Sequence, residues 1–417
     1  MQWSSRAMLR LLIVNILDRE EKIMDEQITT LASLTIDGKG SYGIGASAVP
    51  FSKDLYTYLR ITDIKDDGTL NLQDLKSVED EKASEYLLKP NDIVFARTGA
   101  STGRNYFYDG TDGEFVYAGF LIKFSIDEKK VNPKYIKYFC QSKQYKDWIN
   151  SFNTGSTRGN INAQTLGKMP IPLIERKKQD ALVCILSSID EKIKKNNEIN
   201  NNLEQQTQAV YYKMFSEVNT VPVELSSIID VRDGTHDSPK AQATGYYLIT
   251  SKHLLPFGVD KASANHISKA DFDKINERSL VETQDILMSM IGTVGLISYI
   301  PYETVDFAIK NVALFKTSHT PELAYYFLCY LKSERTLQYI EKCLAGSTQK
   351  YISLGELRKM PIYSPTNDEI REFNYLVKPM FEEIVSRTYE NTLLAEMRDT
   401  LLPKLMSSEL DVSNIDL

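Results

Sequence analysis

Few residues of this chain have the types and spacing that covalent chemistry requires. The sequence contains no GxxxxGK[ST] phosphate loop and no HExxH helix, and no GxGxxG follows a predicted strand. Its one local histidine group, His236, His253 and His266, has spacings that fit no standard metal site. The glycine-rich stretch 38–45 could cradle a phosphate, although a tight loop is the commoner use of such glycines. The sequence therefore predicts no catalytic residue, no metal site and no cofactor held by this chain.

The elements that position the remaining polar residues are duplicated. Gly155 recurs as Gly346 and Lys168 recurs as Lys359, in both cases 191 residues further on. A repeat of this length means two tandem domains, whereas a period of roughly 20–50 residues would mean a solenoid. The length of 417 residues agrees, because it exceeds what one hydrophobic core usually organises. Two similar but unequal units are typical of a pseudo-symmetric protein that engages two related things at once.

Each unit begins with a strand-rich region. Short β-branched and aromatic segments between Gly, Asp and Asn turns predict strands. These segments cover 55–62, 92–96, 119–124, 246–250, 285–291, 295–300 and 312–315. Apolar periodicity then predicts helices over 133–152 and 321–344. We expect an α+β fold with two tandem α/β domains.

Each unit ends in a long amphipathic helix. Seam residues spaced alternately by four and three run through 182–214 and again, 191 residues later, through 373–405. A seam sustained over more than four heptads predicts a coiled coil, since a and d positions then face a partner helix. An ordinary amphipathic helix that packs on its own domain is the simpler alternative.

The two central layers of both seams are polar. They contain Asn196 and Asn200 in the first helix and Arg387 and Asn391 in the second. Because these are the fifth and sixth of ten layers, they meet in either parallel or antiparallel pairing, and a polar layer commonly fixes register. We expect antiparallel pairing in a circular, pseudo-twofold arrangement, with Asn196 facing Asn391 and Asn200 facing Arg387.

Composition limits the classes of function. The net charge of −7 counts against simple nucleic-acid binding, which normally uses a basic surface. No apolar run reaches the roughly 18–20 residues that span a bilayer, and 8–17 does not resemble a signal peptide. The four cysteines lack CxxC spacing and are expected to be buried thiols. The sequence thus predicts a cytoplasmic protein without membrane contact.

The N-terminal segment 1–27 has two interpretations. Leu9, Leu12, Ile16 and Ile23 coincide with seam positions when the repeat is extended backwards. The segment is then a partial third copy of the repeat helix. The alternative is a frayed or non-native leader in which these apolar residues coincide with the seam by accident.

Both long helices carry phrases that resemble one protein family. Leu186-Ser-Ser-Ile-Asp-Glu-Lys-Ile193, with 200–204 and 208–215, resembles the central conserved region of specificity (S) subunits of type I restriction-modification systems. The tail 397–410 resembles their distal conserved region, except that Ser408 stands where the family usually has Gly. Residues 155–172 resemble the close of a target-recognition domain. The resemblance extends from about Ile28 onward.

The resemblance implies a non-catalytic, sequence-specific DNA-binding subunit. Target-recognition domains over 28–175 and 219–366 would each read one half of a split target in double-stranded DNA. The helices 176–218 and 367–417 would set the spacing between the halves and dock two methyltransferase (M) subunits. S-adenosylmethionine would belong to those M subunits, and motor-nuclease (R) subunits would complete the restriction enzyme.

The candidate DNA-binding residues lie in polar loops of both units. Arg, Lys, Asn and Gln side chains read base edges, whereas Ser, Thr, Tyr and backbone amides contact phosphates. In the first unit the candidates are Lys39, Ser41, Tyr42, Arg97, Thr98, Ser101, Arg104, Ser156, Thr157, Arg158 and Asn160. In the second unit they are Thr235, His236, Lys240, Ser289, Thr293, Lys310, Asn311, Ser347, Thr348, Gln349 and Lys350.

Two other classes of protein fit the sequence less well. A restriction enzyme fused to its own methyltransferase would need a motif such as [DN]PP[YF], which the sequence lacks. A coiled-coil scaffold that does not bind DNA would explain the helices but not the two strand-rich domains with polar loops.

Overall fold

The computed structural model describes residues 27–72, 74–152, 160–216, 221–346 and 349–407. These residues form two units. The first contains the residues up to Glu191 and those from Leu394 onward, and the second is Lys192–Leu393. Both unit boundaries therefore fall inside the long helices. The predicted N-terminal helical segment lies, up to residue 26, outside the described residues, as do 217–220 and 408–417.

In the first unit ten strands precede or flank three short helices and the start of a long one. The strands are β1 (Gln27–Thr30), β2 (Ser41–Tyr42), β3 (Ala48–Pro50), β4 (Tyr56–Leu59), β5 (Lys76–Val78), β6 (Asp92–Ala96), β7 (Asn105–Tyr108), β8 (Phe115–Tyr117), β9 (Leu121–Ser125) and β10 (Pro170–Leu173). The helices are α1 (Pro133–Phe139), α2 (Lys143–Asn150), α3 (Ala163–Gly167) and α4 (Arg176–Phe215).

The strands of the first unit form three sheets. An antiparallel sheet has the order β2-β9-β6-β7, and a second sheet has the order β3-β5-β4-β8 with β4 and β8 parallel. Strand β1 pairs antiparallel with β10. All of β6 is buried, as expected for a continuous apolar run in the middle of a sheet. Its partner β9 supplies Phe124, whose ring contacts the Phe95 ring edge-on at 5.9 Å between centroids.

The second unit is built from the remaining elements. Its strands are β11 (Val223–Glu224), β12 (Val231–Asp233), β13 (Tyr246–Ile249), β14 (Leu254–Leu255), β15 (Gly258–Val259), β16 (Asn265–Ile267), β17 (Ile286–Ser289), β18 (Ile297–Tyr299), β19 (Phe307–Ile309), β20 (Val312–Phe315) and β21 (Pro361–Ile362). Its helices are α5 (Lys269–Ser279), α6 (Ala324–Leu331), α7 (Glu334–Cys343), α8 (Leu354–Arg358) and α9 (Asn367–Met406).

The internal topology of the second unit repeats that of the first. The sheet β12-β20-β17-β18 has the order of β2-β9-β6-β7, and the parallel pair β13/β19 corresponds to β4/β8. The short pair β11/β21 corresponds to β1/β10. The duplication predicted from the sequence is therefore confirmed by strand order, and each unit has the predicted mixture of helices and strands.

The two short-helix regions differ from the sequence prediction in one respect. Each predicted single helix is broken in two, between α1 and α2 and again between α6 and α7. Ser142 accepts a hydrogen bond from the Tyr145 amide at 3.3 Å, and Ser333 accepts one from the Thr336 amide at 3.4 Å. A serine at this position caps a new helix, and apolar periodicity that continues across the break conceals it.

The long helices α4 and α9 pair antiparallel within each unit. In the second unit Asn196 Nδ2 donates to Asn391 Oδ1 at 2.8 Å, as predicted. The neighbouring prediction is wrong, because Asn200 Nδ2 donates to Thr388 Oγ1 at 3.3 Å and not to Arg387. Instead Arg387 Nη1 donates to Asn196 Oδ1 at 2.9 Å. Asn196 is fully buried, so the polar layer lies inside the helix pair.

In the first unit one carboxylate joins three helices. Asp190 of α4 accepts hydrogen bonds from Lys137 Nζ at 2.8 Å and the Tyr138 hydroxyl at 2.9 Å, both on α1. Arg398 Nη1 of α9 donates to it at 3.2 Å. Burial raises the pKa of Asp190, but the charges of Lys137 and Arg398 and the hydrogen bonds outweigh burial and lower it overall.

The four cysteines are all free thiols. Cys140 and Cys329 are buried, as predicted, and Cys343 is half-buried. The prediction is wrong for Cys184, which lies on the exposed side of α4. Among the described residues, no group of three or more His, Cys, Asp or Glu could hold a metal ion. No described helix is long and apolar enough to cross a membrane.

Candidate nucleic-acid interface

Three predicted loops of the first unit meet at one edge of the sheet β2-β9-β6-β7, where β2 and β6 end and β9 begins. The loop after β6 begins at Arg97, whose amide donates to the carbonyl of Phe120, just before β9, at 3.1 Å. Ile161, before α3, donates to the carbonyl of Arg97 at 2.9 Å. The loop after β2 joins the same edge, since Ile44 donates to the carbonyl of Tyr117 at 3.1 Å. The structure therefore brings the candidate loops around 39–42, 97–104 and 160 together.

A glycine in each unit allows two backbone segments to cross closely at this edge. A Cβ atom on Gly43 would lie 2.2 Å from the Tyr117 carbonyl oxygen, and one on Gly234 would lie 2.3 Å from the Ile309 carbonyl oxygen. No side chain fits at such distances. Gly43 and Gly234 are separated by the repeat offset of 191 residues, so the same crossing supports the candidate loops in both units.

Arg97 packs against two aromatic rings. Its Cζ atom is 5.2 Å from the centroid of the Tyr42 ring and 5.9 Å from that of Phe120. Both rings are exposed, by 44% for Tyr42 and 56% for Phe120. The Tyr42 hydroxyl accepts a hydrogen bond from the Ala163 amide at 3.1 Å, which fixes the ring. Phe120 was missed by the sequence analysis because a single phenylalanine beside a strand gives no signal of exposure.

Two candidates in the loop after β6 have structural roles. Arg104 binds both oxygens of Asp66, with Nε–Oδ1 at 2.7 Å and Nη2–Oδ2 at 3.0 Å. Ser101 is 8% exposed. The interpretation of Ser101 as a surface contact is corrected by its burial, and Arg104 is already occupied by a carboxylate. The other described candidates are accessible: Lys39 and Asn160 are exposed, and Ser41 and Thr98 are half-buried.

In the second unit the loop after β12 carries a cluster of polar side chains. His236 Nδ1 lies 2.8 Å from Asn311 Oδ1, and its Nε2 lies 3.0 Å from Asp233 Oδ2. Arg278 of α5 donates to Asp233 Oδ1 at 2.7 Å. Arg278 escaped the sequence analysis because it is 45 residues from Asp233 in the chain.

A cleft of about 370 Å³ adjoins this cluster, lined by Thr235, His236, Lys274 and Arg278 among others. Lys310 Nζ donates to Ser238 Oγ, and the Asn311 amide donates to the Thr235 carbonyl at 3.1 Å. The candidates Thr235, His236, Lys310 and Asn311 are thus brought together. Lys240 is exposed further along the same loop.

The loop after β17 lies beside residues 349–351. Gly292 donates to the Lys350 carbonyl at 2.9 Å, and Ile352 donates to the Met290 carbonyl at 3.0 Å. Thr293, Gln349 and Lys350 are exposed there. Ser289 is not: it is fully buried, its hydroxyl donates to the Thr293 carbonyl at 2.6 Å and accepts from the Leu296 amide at 2.8 Å. Its interpretation as a DNA contact is therefore wrong.

Five candidates cannot be placed. Ser156, Thr157 and Arg158, and likewise Ser347 and Thr348, lie outside the described residues.

Equivalent positions of the two units carry different chemistry. Backbone hydrogen bonds that occur in both units show which positions are equivalent. The Ile161 amide donates to the carbonyl of residue 97, and in the second unit the Ile352 amide donates to the carbonyl of residue 290. The β2/β9 pairing Tyr42↔Ile122 likewise corresponds to Asp233↔Ala313 in β12/β20. The equivalent pairs are Tyr42 and Asp233, Arg97 and Met290, and Phe120 and Asn311. In the first unit these three positions carry a cation and two aromatic rings. In the second unit they carry an acid, an apolar residue and an amide.

Comparison with known proteins identifies the family. The profile of the family described as "Type I restriction modification DNA specificity domain" matches residues 52–205 and again 218–373. The chain belongs to this family. Its two matches correspond to the two copies of the repeat, and membership confirms the resemblance seen in the helical motifs. The chain is accordingly a specificity subunit of the type I restriction-modification class, with two tandem DNA specificity domains and no catalytic role of its own.

Individual relatives of the family are similar over most of this chain. The type I restriction enzyme MjaIX specificity subunit of Methanocaldococcus jannaschii is 23% identical over 321 residues, covering 70% of this chain and 72% of the relative. The HindI specificity subunit of Haemophilus influenzae is 21% identical over 403 residues, covering 78% and 87%. The crystal structure of a type I S subunit from M. genitalium shares the fold, with a TM-score of 0.50 and 16% identity over 93% of this chain and 97% of that one.

Proposed function

We propose that each unit of this specificity subunit reads one half of a bipartite DNA target. The observation that carries the proposal is that the candidate loops of both units lie at equivalent edges of the same repeated sheet. The scaffold is the same, whereas the accessible side chains at equivalent positions differ, as between Phe120 and Asn311. Two readers of this kind are suited to two different short sequences, since base-edge chemistry is what distinguishes bases.

The acidic net charge is compatible with this function when partners share the DNA grip. At −7 the chain has no general attraction for DNA. We propose that two methyltransferase subunits close around the duplex and bring S-adenosylmethionine, and that motor-nuclease subunits join them for restriction in the cytoplasm. The names of the relatives, which are specificity subunits of type I restriction enzymes, support such an assembly.

The long helices are proposed to set the spacer between the half-sites and to dock the methyltransferase subunits. Helix α4 has 40 residues, which at ~1.5 Å per residue corresponds to about 60 Å. The hydrogen bonds of the buried layer around Asn196 support the proposal that this layer fixes the register of α4 against α9. Inserting a whole heptad in each helix would therefore change the spacer while leaving the candidate DNA-binding loops of both units intact.

The test is an exchange of residues 28–175 for the corresponding region of a relative. The chimera and the wild-type chain are each produced with their methyltransferase partner, and methylated sites are mapped by sequencing host DNA. We expect one half-site to change and the other to remain. A matched chimera of 219–366 should change the other half-site.

The contrary results are equally definite. A chain that purifies with its partner but yields no sequence-specific methylation would support a scaffold without DNA binding. A change in both half-sites from a single exchange would refute the independence of the units.

A further inference from the structure

We infer that Arg97, clamped by Tyr42 and Phe120, reads a guanine in the half-site of the first unit. This inference rests on the proposed function. It adds Phe120 as a positioning residue and names the base that the clamp selects.

Arg97 has free hydrogen-bonding capacity. Its guanidinium forms no hydrogen bond or ion pair with any described residue, and Nε is its one enclosed, unpartnered nitrogen. Arg104, seven residues along the same loop, is held instead by both oxygens of Asp66. The terminal N–H groups of Arg97 are therefore available to an external acceptor, whereas those of Arg104 are not.

Two aromatic rings hold the side chain of Arg97. Both ring centroids lie within the ~6 Å at which a cation is attracted to an aromatic face. The Tyr42 ring is anchored through its hydroxyl to the Ala163 amide, and the backbones of Arg97 and Phe120 are bonded directly. The rings thus restrict the rotamers of Arg97 before DNA arrives, which lowers the entropy lost on binding.

Guanine is the acceptor that best fits the donors of Arg97. Arginine donates two parallel hydrogen bonds to O6 and N7 of guanine in the major groove, whereas adenine presents a donor in place of O6. A phosphate also accepts from arginine, but the exposed rings of Tyr42 and Phe120 beside the guanidinium suit the apolar faces and methyl groups of bases better than a charged backbone.

The second unit lacks this arrangement. Met290 replaces Arg97, and Asp233 and Asn311 replace the two rings, with His236 bonded to both. The guanine assigned to Arg97 therefore belongs to the half-site of the first unit, and the equivalent position of the other half-site is read by different chemistry.

The experiment uses the chain complexed with its methyltransferase partner and a panel of duplexes that carry every single-base change in the mapped target. Arg97→Ala should reduce the preference for guanine at one position of the first half-site by roughly 5- to 150-fold, with other positions unchanged. Arg97→Lys should lose most of the same preference, because lysine lacks the planar fork. Phe120→Ala should weaken it by roughly two- to fivefold.

Arg335 on α7, exposed and without an ion pair to a described residue, provides the matched control, and Arg335→Ala should leave the preference intact. The inference is overturned if Arg97→Ala weakens all sequences equally, if Arg97→Lys retains full selectivity, or if no position changes. The second half-site reports folding in every variant. Failure of the proposed function would differ, since the wild-type complex would then show no bipartite preference at all.

Discussion

Replacement of Asn196 by leucine tests how much the buried polar layer stabilises the pairing of α4 with α9. In the second unit this amide donates to Asn391 Oδ1 and Glu390 Oε2, both at 2.8 Å, and accepts from Arg387 at 2.9 Å. Leucine has a similar size, so the change removes three hydrogen bonds without opening a cavity.

The magnitude follows from the partners that remain. Arg387 keeps Glu383 at 2.6 Å and Asn391 keeps Asn197 at 2.8 Å, so each loses only part of its bonding. Buried groups left without a partner cost about 1–3 kcal/mol each, whereas burial of a leucine side chain contributes about 1.5–3 kcal/mol. Three partners lose a bond, but Glu390 keeps Lys192 at 3.4 Å and is more exposed, so Arg387 and Asn391 dominate. We expect a net destabilisation of about 1–2 kcal/mol.

The measurement is hydrogen exchange of amides in α4 and α9, which reports local opening. Exchange near position 196 should accelerate by roughly 5- to 30-fold. Asn201→Leu, at an exposed position of the same helix, should change local stability by no more than about 0.5 kcal/mol. Replacing Asn196 and Asn391 together by leucine should restore protection, as apolar replacements of buried polar groups often do. Unchanged protection in Asn196→Leu would refute the reasoning.

Three further predictions concern helices and activity. Asp190→Asn should lower the free energy of unfolding at pH 7 by about 1–3 kcal/mol. Because the folded-state pKa of Asp190 is lowered, its stabilising contribution is present above the unfolded-state pKa and disappears as the pH falls through the folded-state pKa. The melting temperatures of wild type and variant should therefore converge in acid, and a difference that stays constant with pH would contradict this. Cysteines at Ile189/Leu394 should crosslink within one chain, as should the pair 203/380, whereas crosslinks at 189/380 would indicate parallel helices. The purified chain with S-adenosylmethionine should not methylate DNA, and robust methylation would contradict the assignment of chemistry to partners.

Much of the fold could be predicted because its signals are periodic. The offset of 191 residues indicated the duplication, and the heptad seams of both long helices indicated that they form a coiled coil. The bond between Asn196 and Asn391 agrees with the expected antiparallel arrangement. The helix breaks at Ser142 and Ser333 could not be predicted from periodicity. A capping serine starts a new helix at these positions, although the apolar periodicity continues on both sides of it.

Less of the candidate site could be predicted, because composition indicates loops but not exposure. Ser289 has the chemistry of a phosphate contact, yet its hydroxyl closes its own turn. Phe120 has the chemistry of a core residue, yet it is exposed beside Arg97. These outcomes depend on strand pairing over long sequence separations, which a local pattern does not contain.

The pairing of β1 with β10 has a consequence for how such genes evolve. Ile28 lies opposite Pro172, and in the second unit Val223 lies opposite Ile362, so each globular region is entered and left at adjacent points. Segments whose ends adjoin are readily exchanged without disturbing the rest of a protein. A recombination event with crossovers near these strands would transplant a complete reader in one step. A lineage could then acquire a new target by shuffling existing alleles, without passing through intermediates that lack a functional reader.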